Sequence, residues 1–337
     1  MFGRRKALAI MGMAGIVTGI GRSSFAKVHD KAILATNNNT GYSGFLRQIY
    51  QSAVNQGYDP SIMRRALNFS QPNAKVIQLD RKQPEFTMTW SQYREKVISD
   101  TKIQDGRSAY QDSKTLLSDL WKQYHVDPRI VVGIWGIESA YGKHLGKFNV
   151  IDALATLAHE GRRSKFFKAE LMNALKILNN RDVEPERMMG SYAGAMGQPQ
   201  FMPSAYLNYA VDFSGDGQRN IWTDKVDTLA SIANYLAKCG WHANEPWGQA
   251  IRIDGNIAQN QIWRTQLRSL GEWESLGVRR QDGRSFSNKT IRGAVIRPDG
   301  EGGDAFMIYH NFNVIRRYNP SDFYALAVGL LGNEITT

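Results

Sequence analysis

The chain has 337 residues, enough for one large domain or two to three smaller ones, with 42% hydrophobic and 22% charged residues, as in an ordinary folded protein. Its formal charge of +11 favours anionic partners such as nucleic acid, anionic lipid or cell-wall polymer without choosing among them. The basic residues are scattered and no nucleic-acid-binding motif is present, so nucleic acid is not an expected partner. The single cysteine, Cys239, excludes an internal disulfide.

At the amino terminus, Arg4-Arg5-Lys6 precedes an apolar run from Ala7 to about Ile20 and then Ser24-Phe25-Ala26, the layout of a secretory signal over 1–26. The paired arginines match a twin-arginine route loosely, and an uncleaved anchor is the alternative. Export predicts a periplasmic or cell-envelope protein. The absence of a cysteine near the cleavage site argues against a lipid anchor there. Residues 27–43 read as a polar lead-in.

From Gly44 to about Ala237 the pattern is mostly helical. Phe45, Ile49 and Ala53 recur at helical spacing, as do Leu116, Leu117, Leu120 and Trp121, and later Phe166, Phe167, Leu171, Ala174 and Leu175. Asp127-Pro128 predicts a helix start. After Gly240-Trp241 the character changes: Gln249–Ile253, Thr290–Ile296 and Phe306–Tyr309 are β-prone, with turn signals at Asp282-Gly283 and Asp299-Gly300. Helical patterning returns at Tyr324–Leu331. The expected fold is mainly α with a small β-rich insertion at 241–310.

Three segments carry chemistry. The first, Arg129–Gly142, places one acid, Glu138, after a run that is apolar on nearly every side, which predicts a buried helix. Ile134 and Tyr141 are its helical neighbours at i−4 and i+3. Burial there raises a carboxyl pKa, as a general acid at neutral pH requires. An exposed or arginine-paired glutamate is the bland alternative. Gly133 and Gly136 permit close packing, and Gly142 suits a helix end.

The second, Gly190–Tyr206, mixes small residues with Gln198, Gln200, Phe201 and Tyr206. It suits either close approach of backbone to a ligand or a tight helix-packing turn. The third, Asp212-Phe213-Ser214-Gly215-Asp216-Gly217-Gln218, alternates oxygen ligands with a glycine at the sixth place, like an EF-hand loop. Position twelve is Thr223 rather than glutamate, and Asp224 or Asp227 stands in for it if the loop is longer than usual. A structural calcium ion is expected, against an unmetallated Asx-type turn.

Taken together these segments resemble the lytic murein transglycosylase B family over most of the mature sequence. The shared features include GIWGIESAYG around Glu138, Ala153–Leu157, Arg162-Arg163 with Phe166-Phe167, GSYAGAMGQPQFMPSAY and DFSGDGQRNIW. They continue through Ser231–Tyr235, Gly240-Trp241, Glu245–Gly248, Asn311-Phe312, Tyr318-Asn319 and Tyr324–Val328. The resemblance implies a lysozyme-like helical core over 106–240, a helical amino-terminal domain over 44–105, the β domain at 241–310 and a return to the core over 311–337. It implies cleavage of the β-1,4 bond between N-acetylmuramic acid and N-acetylglucosamine, with Glu138 catalytic and no catalytic cofactor. It places Ser191, Gln200, Phe201, Tyr235, Tyr318, Asn319 and Tyr324 along a glycan groove, flanked by Arg162, Arg163, Phe166 and Phe167. It assigns Asp212, Ser214, Asp216 and Gln218 to the metal loop, with one residue inserted before Asp227.

The implied partner is the glycan strand of peptidoglycan, reached by a monomer associated peripherally with the wall. One carboxylate suffices if the substrate assists itself. Glu138 protonates the leaving oxygen, the N-acetyl group supports charge at C1, and Glu138 then deprotonates the C6 hydroxyl, which closes to a 1,6-anhydro end. A water-using muramidase and a non-catalytic wall-binding protein are the alternatives.

Overall fold

The computed structural model describes residues 41–82, 88–160 and 163–336. The expected signal segment and all but the end of the lead-in lie outside the described residues, as does Arg162. No described helix is long and apolar enough to cross a membrane. The fold is mainly helical with small antiparallel sheets. Two compact units interleave along the chain, one from 88–141 with 229–336 and the other from 41–82 with 142–228.

In the first unit the Pro128–Ser139 helix is central. Its N-cap is Asp127, whose carboxylate accepts from the Arg129 amide at 2.9 Å, and Pro128 occupies the first turn, where a missing N–H leaves no bond unmade. Seven consecutive residues from Ile130 to Gly136 are buried. This helix packs on Asp322–Glu334 through glycines on both sides: a methyl on Gly133 would stand 2.7 Å from the Val328 carbonyl oxygen, and one on Gly332 would stand 2.8 Å from that of Arg129. Backbone therefore meets backbone, an approach that no larger residue allows.

The sheet of this unit has five antiparallel strands in the order Arg268–Ser269, Arg292–Ile296, Ala305–Ile308, Gly248–Ile253 and Val278–Arg280. The three expected β runs are all strands. The edge strands at 268–269 and 278–280 carried no alternating signal, being short and polar. One face is covered by the Leu270–Ser275 helix, started by a Ser269–Glu272 capping box. Its Trp273 is fully buried among Ile251, Val278, Phe286, Val295 and Met307, and its indole donates to the Gly293 carbonyl at 2.9 Å. Buried Asn311 ties the 242–245 turn to the His310–Tyr318 helix, accepting from the His242 amide at 2.9 Å and donating to the carbonyls of His242 and Glu245.

In the second unit the core is the pair Val150–Glu160 and Ser164–Asn179, packed by Leu154, Leu157, Leu171, Leu175 and Leu178. Asn149 caps the first of these from a two-stranded ladder in which Phe148 and Asn149 pair with Gly190 and Met189. The Pro203–Tyr209 helix has no cap from its own preceding residue. Buried Glu170 supplies one instead, accepting from the Ser204 amide at 2.8 Å and its hydroxyl at 2.7 Å.

Candidate active site

Glu138 stands one residue from the end of its helix. Sequence periodicity sets Tyr141 over it at i+3, but the helix stops at Ser139 because Ala140 and Tyr141 both turn left-handed, with φ of 49° and 59°. Two such non-glycine residues in a row cost about 1–3 kcal/mol each. Packing holds them there: the Tyr141 ring meets Trp135 edge-on at 5.7 Å, and its hydroxyl donates to the Lys102 carbonyl at 2.9 Å.

The group that faces Glu138 comes from far along the chain. The Tyr324 hydroxyl donates to Glu138 Oε1 at 2.6 Å. Tyr324 sits in the first turn of its helix, which is N-capped by Ser321, and is 1% exposed. Tyr318 lies nearly parallel to it at 6.4 Å, and Tyr235 lies 4.7 Å from Tyr318 with its hydroxyl on the Arg317 carbonyl at 2.6 Å. Asn319, buried, accepts from the Ser321 amide at 3.1 Å and so fixes the turn between the two tyrosines. The structure thus gathers Glu138, Tyr235, Tyr318, Asn319 and Tyr324 in one unit.

Residue Glu138 taken whole is half-buried, while its carboxyl group is enclosed by protein. Burial pushes its pKa up to about 7, opposed by the Tyr324 hydrogen bond and by the positive charge of Lys102. Burial and the same carboxyl hold the hydroxyls of Tyr318 and Tyr324 well above their ordinary range, so both remain neutral donors. Tyr93 is raised by burial and by Glu138 as well, and burial lowers the Lys102 ammonium. Sequence reading missed these last two, because a tyrosine and a lysine in amphipathic helices 45 and 36 residues upstream carry no local sign of what they face. Among the described residues, none of the groups acting on Glu138 is a second carboxylate.

The second unit holds the remaining candidates. Gly190–Phe201 folds into a tight loop closed by bridges from Met196 to Gly190 and to Phe201. Ser191 is buried, and its hydroxyl accepts from the Ala195 amide at 3.0 Å. Gly197 is left-handed at φ 63°, and any Cβ there would stand 2.6 Å from the Ile221 carbonyl. Gln200 is also left-handed, at φ 51°, with its amide nitrogen held by the carbonyls of Gly197 and Leu145 at 2.8 and 3.2 Å. Phe201 and Phe167 are core residues, 2% and 1% exposed. Phe166 instead shows 42% of its surface, edge-on to Phe167 at 5.2 Å. Arg163 lies over the Phe167 ring at 4.9 Å and pairs with Asp80 at 3.5 Å.

In the acidic loop, oxygens of Asp212, Asp216 and Asp227 come within 4.8 Å of one another. Asp227 reaches the loop from the first turn of the Lys225–Lys238 helix and accepts from the amides of Phe213, Ser214 and Asn220 at 2.8–3.0 Å. Asp224 instead accepts from the Val226 amide at 2.6 Å, acting as a cap for that helix. Of the two acids left open by the sequence, Asp227 is therefore the one beside the loop. Ser214 donates to Asp212 at 3.4 Å, and Gln218 is exposed with its amide on Asp216 at 2.9 Å. Three carboxylates gathered at one loop are a donor set that fits a hard cation such as calcium.

An enclosed carboxyl with its pKa pushed up to about 7 and a neutral tyrosine donating to it is an arrangement suited to acid–base chemistry. The chain belongs to the transglycosylase SLT domain family, whose profile matches residues 41–333. It is 35% identical over 301 residues to the membrane-bound lytic murein transglycosylase B of Escherichia coli K12, covering 87% of this chain and 79% of that protein. It is similar to SltB3 from Pseudomonas aeruginosa solved with NAG-anhNAM-pentapeptide (41% identity, TM-score 0.84, 88% of this chain and 79% of that one). The Escherichia coli lytic transglycosylase Slt35 in complex with calcium matches at 33% identity and TM-score 0.74, over 87% of this chain and 92% of that one.

Proposed function

We propose that this protein is an exported peptidoglycan lytic transglycosylase in which Glu138 acts first as general acid and then as general base. The observation that carries the reading is the enclosed Glu138 carboxyl, with a pKa of about 7 and a 2.6 Å hydrogen bond from Tyr324. At neutral pH a large share of the enzyme holds the proton that a departing N-acetylglucosamine oxygen needs. Once that proton leaves, the tyrosine hydrogen bond and Lys102 stabilise the carboxylate left behind. The same carboxylate then takes the proton of the muramic C6 hydroxyl, which attacks C1 and leaves a 1,6-anhydro end. No second carboxylate and no catalytic cofactor enter this sequence of steps, because the nucleophile is part of the substrate. The SltB3 complexes with NAG-anhNAM-pentapeptide and NAG-NAM-pentapeptide support a peptide-bearing glycan as substrate and an anhydro sugar as product.

Tyr235, Tyr318, Asn319 and Tyr324 are read as glycan-binding residues beside Glu138, and Ser191, Gln200, Phe201, Arg162, Arg163, Phe166 and Phe167 are read as glycan-binding residues by family resemblance. Within that second group the exposed ring of Phe166 offers a face to a sugar, while Phe167 and Phe201 act from beneath by holding their neighbours in place. Asp212, Ser214, Asp216, Gln218 and Asp227 are read as the ligands of a structural calcium ion. Residues 1–26 are read as the export signal of a periplasmic, monomeric enzyme. The test is solubilisation of purified sacculi by the mature protein: wild type clears the suspension and Glu138→Gln, equally folded, does not.

A further inference from the structure

The first unit contains a groove of about 480 Å³ that the acid–base chemistry does not use. It is bounded by the Gly248–Ile253 and Ala305–Ile308 strands. Its floor is apolar, with Ala250 and Phe306 paired across the Gly248–Ile253 and Ala305–Ile308 strands and Leu330 from the Asp322–Glu334 helix. Its rim is cationic: Arg94, Arg252 and Arg297 all line it, and Asp304 is the one acid among the lining residues.

That acid is already engaged. Asp304 accepts from the Trp90 indole at 2.9 Å and pairs with Arg94 at 3.3 Å. Arg252 pairs with Asp254 at 3.0 Å, in an ion pair half-exposed on both sides and therefore easily exchanged. Arg297 is half-buried, and among the described residues no carboxylate lies within ion-pair distance of its guanidinium. The turn that carries it is pinned, since Asp299 accepts from the amides of Trp90 and Ser91. A half-buried guanidinium without a carboxylate partner among the described residues, on a fixed turn above an apolar floor, is a site for a carboxylate attached to an apolar body.

We propose that this groove binds the peptide stem of peptidoglycan, with Arg297 and Arg252 taking its carboxylates and the apolar floor taking its side chains. The proposal rests on the transglycosylase reading for the identity of the peptide. A neutral glycan is a poor occupant, because the floor's one aromatic ring, Phe306, is 3% exposed and has no face to stack a sugar. The groove's volume falls in the range of about 300–1,000 Å³ usual for small-ligand sites and suits a few residues of peptide.

The test is calorimetric titration of the mature protein with a synthetic stem pentapeptide, its fully amidated counterpart and inorganic phosphate. The proposal expects the free-carboxylate peptide to bind, and the Arg252→Gln/Arg297→Gln pair to weaken it at least tenfold. Arg297→Lys should recover part of the loss. In the same pair of variants, release of products from peptide-free glycan strands should run at the wild-type rate, which reads the catalytic assignment independently of this one. Equal affinity for the amidated peptide, or an unchanged affinity in the double variant, overturns the proposal. Phosphate binding as tightly as the peptide overturns it in favour of a simple anion site.

Discussion

Tyr324 donates to Glu138 at 2.6 Å across 186 positions of sequence. The contact exists because Gly133 and Gly332 let the two helices approach until each glycine meets the other's backbone. Burial and the tyrosine pull on the same proton in opposite directions: burial keeps it on Glu138, and the hydrogen bond favours its departure. For the proposed role, in which Glu138 acts as an acid and then as a base, a pKa between those limits and near the operating pH works best.

The sign of this shift sets a stability prediction. The folded pKa of Glu138, about 7, lies above the unfolded value of 4.5. Its protonated form therefore contributes stability that is fully present below the unfolded value and is lost as pH rises through about 7. Glu138→Gln, which cannot ionise, should be more stable than wild type at pH 8 by at most about 3 kcal/mol, with the difference vanishing below pH 4.5. Thermal melts of both proteins across that range measure it, and a variant less stable at pH 8 contradicts the burial argument.

Tyr324→Phe keeps the ring and removes the donor. Since the hydrogen bond lowers the Glu138 pKa, its loss should move the alkaline limb of the pH–rate profile upward. Turnover at neutral pH should fall about tenfold, corresponding to one charge-assisted hydrogen bond of ~1.5 kcal/mol. An alkaline limb that moves downward, or does not move, contradicts this role.

Gly133→Ala tests the helix contact itself. The added methyl would meet the Val328 carbonyl oxygen at 2.7 Å, and overpacking of that kind costs about 1–3 kcal/mol. Melting temperature and turnover should fall together, whereas Gly300→Ala, where no atom lies within 4 Å, should leave turnover unchanged and cost stability only through its left-handed φ of 81°.

How much of this was legible in the sequence depends on the range of the interaction. The start of the Glu138 helix was readable because a cap and a first-turn proline act over two residues. Its end was not: Ala140 and Tyr141 turn left-handed through contacts with Trp135 and Lys102, and glycine at 142 pointed one turn too far. The three central strands announced themselves by β-branched and apolar runs, while the 268–269 and 278–280 edges are set by pairing alone. Trp121 sits at helical spacing with Leu117 and Leu120, which are buried, yet is 45% exposed, since periodicity marks a stripe and not its margins. The burial of Glu138 followed from its apolar surroundings. Family resemblance put Tyr324 in the glycan groove but not on Glu138, and Tyr93 and Lys102 followed from neither reading.

Calcium binding should appear as stability. Chelation should lower the melting temperature of wild type more than it lowers turnover at low temperature. Asp216 offers its carboxylate to the cluster while accepting, among the described residues, only the nearby Gln218 amide, so Asp216→Ala should abolish the chelator effect with little change in the chelated protein's own melt. Asp227 holds three loop amides, so Asp227→Ala should destabilise the protein with or without the ion. A melting curve indifferent to chelator and to added calcium contradicts the metal assignment.

The most direct test of the central claim is mass spectrometry of the soluble products formed when the mature protein meets peptidoglycan, with Glu138→Gln run beside it. Wild type should release 1,6-anhydro muropeptides and the variant none. Reducing-end muropeptides, the product of attack by water, or undiminished release by Glu138→Gln, would contradict the claim.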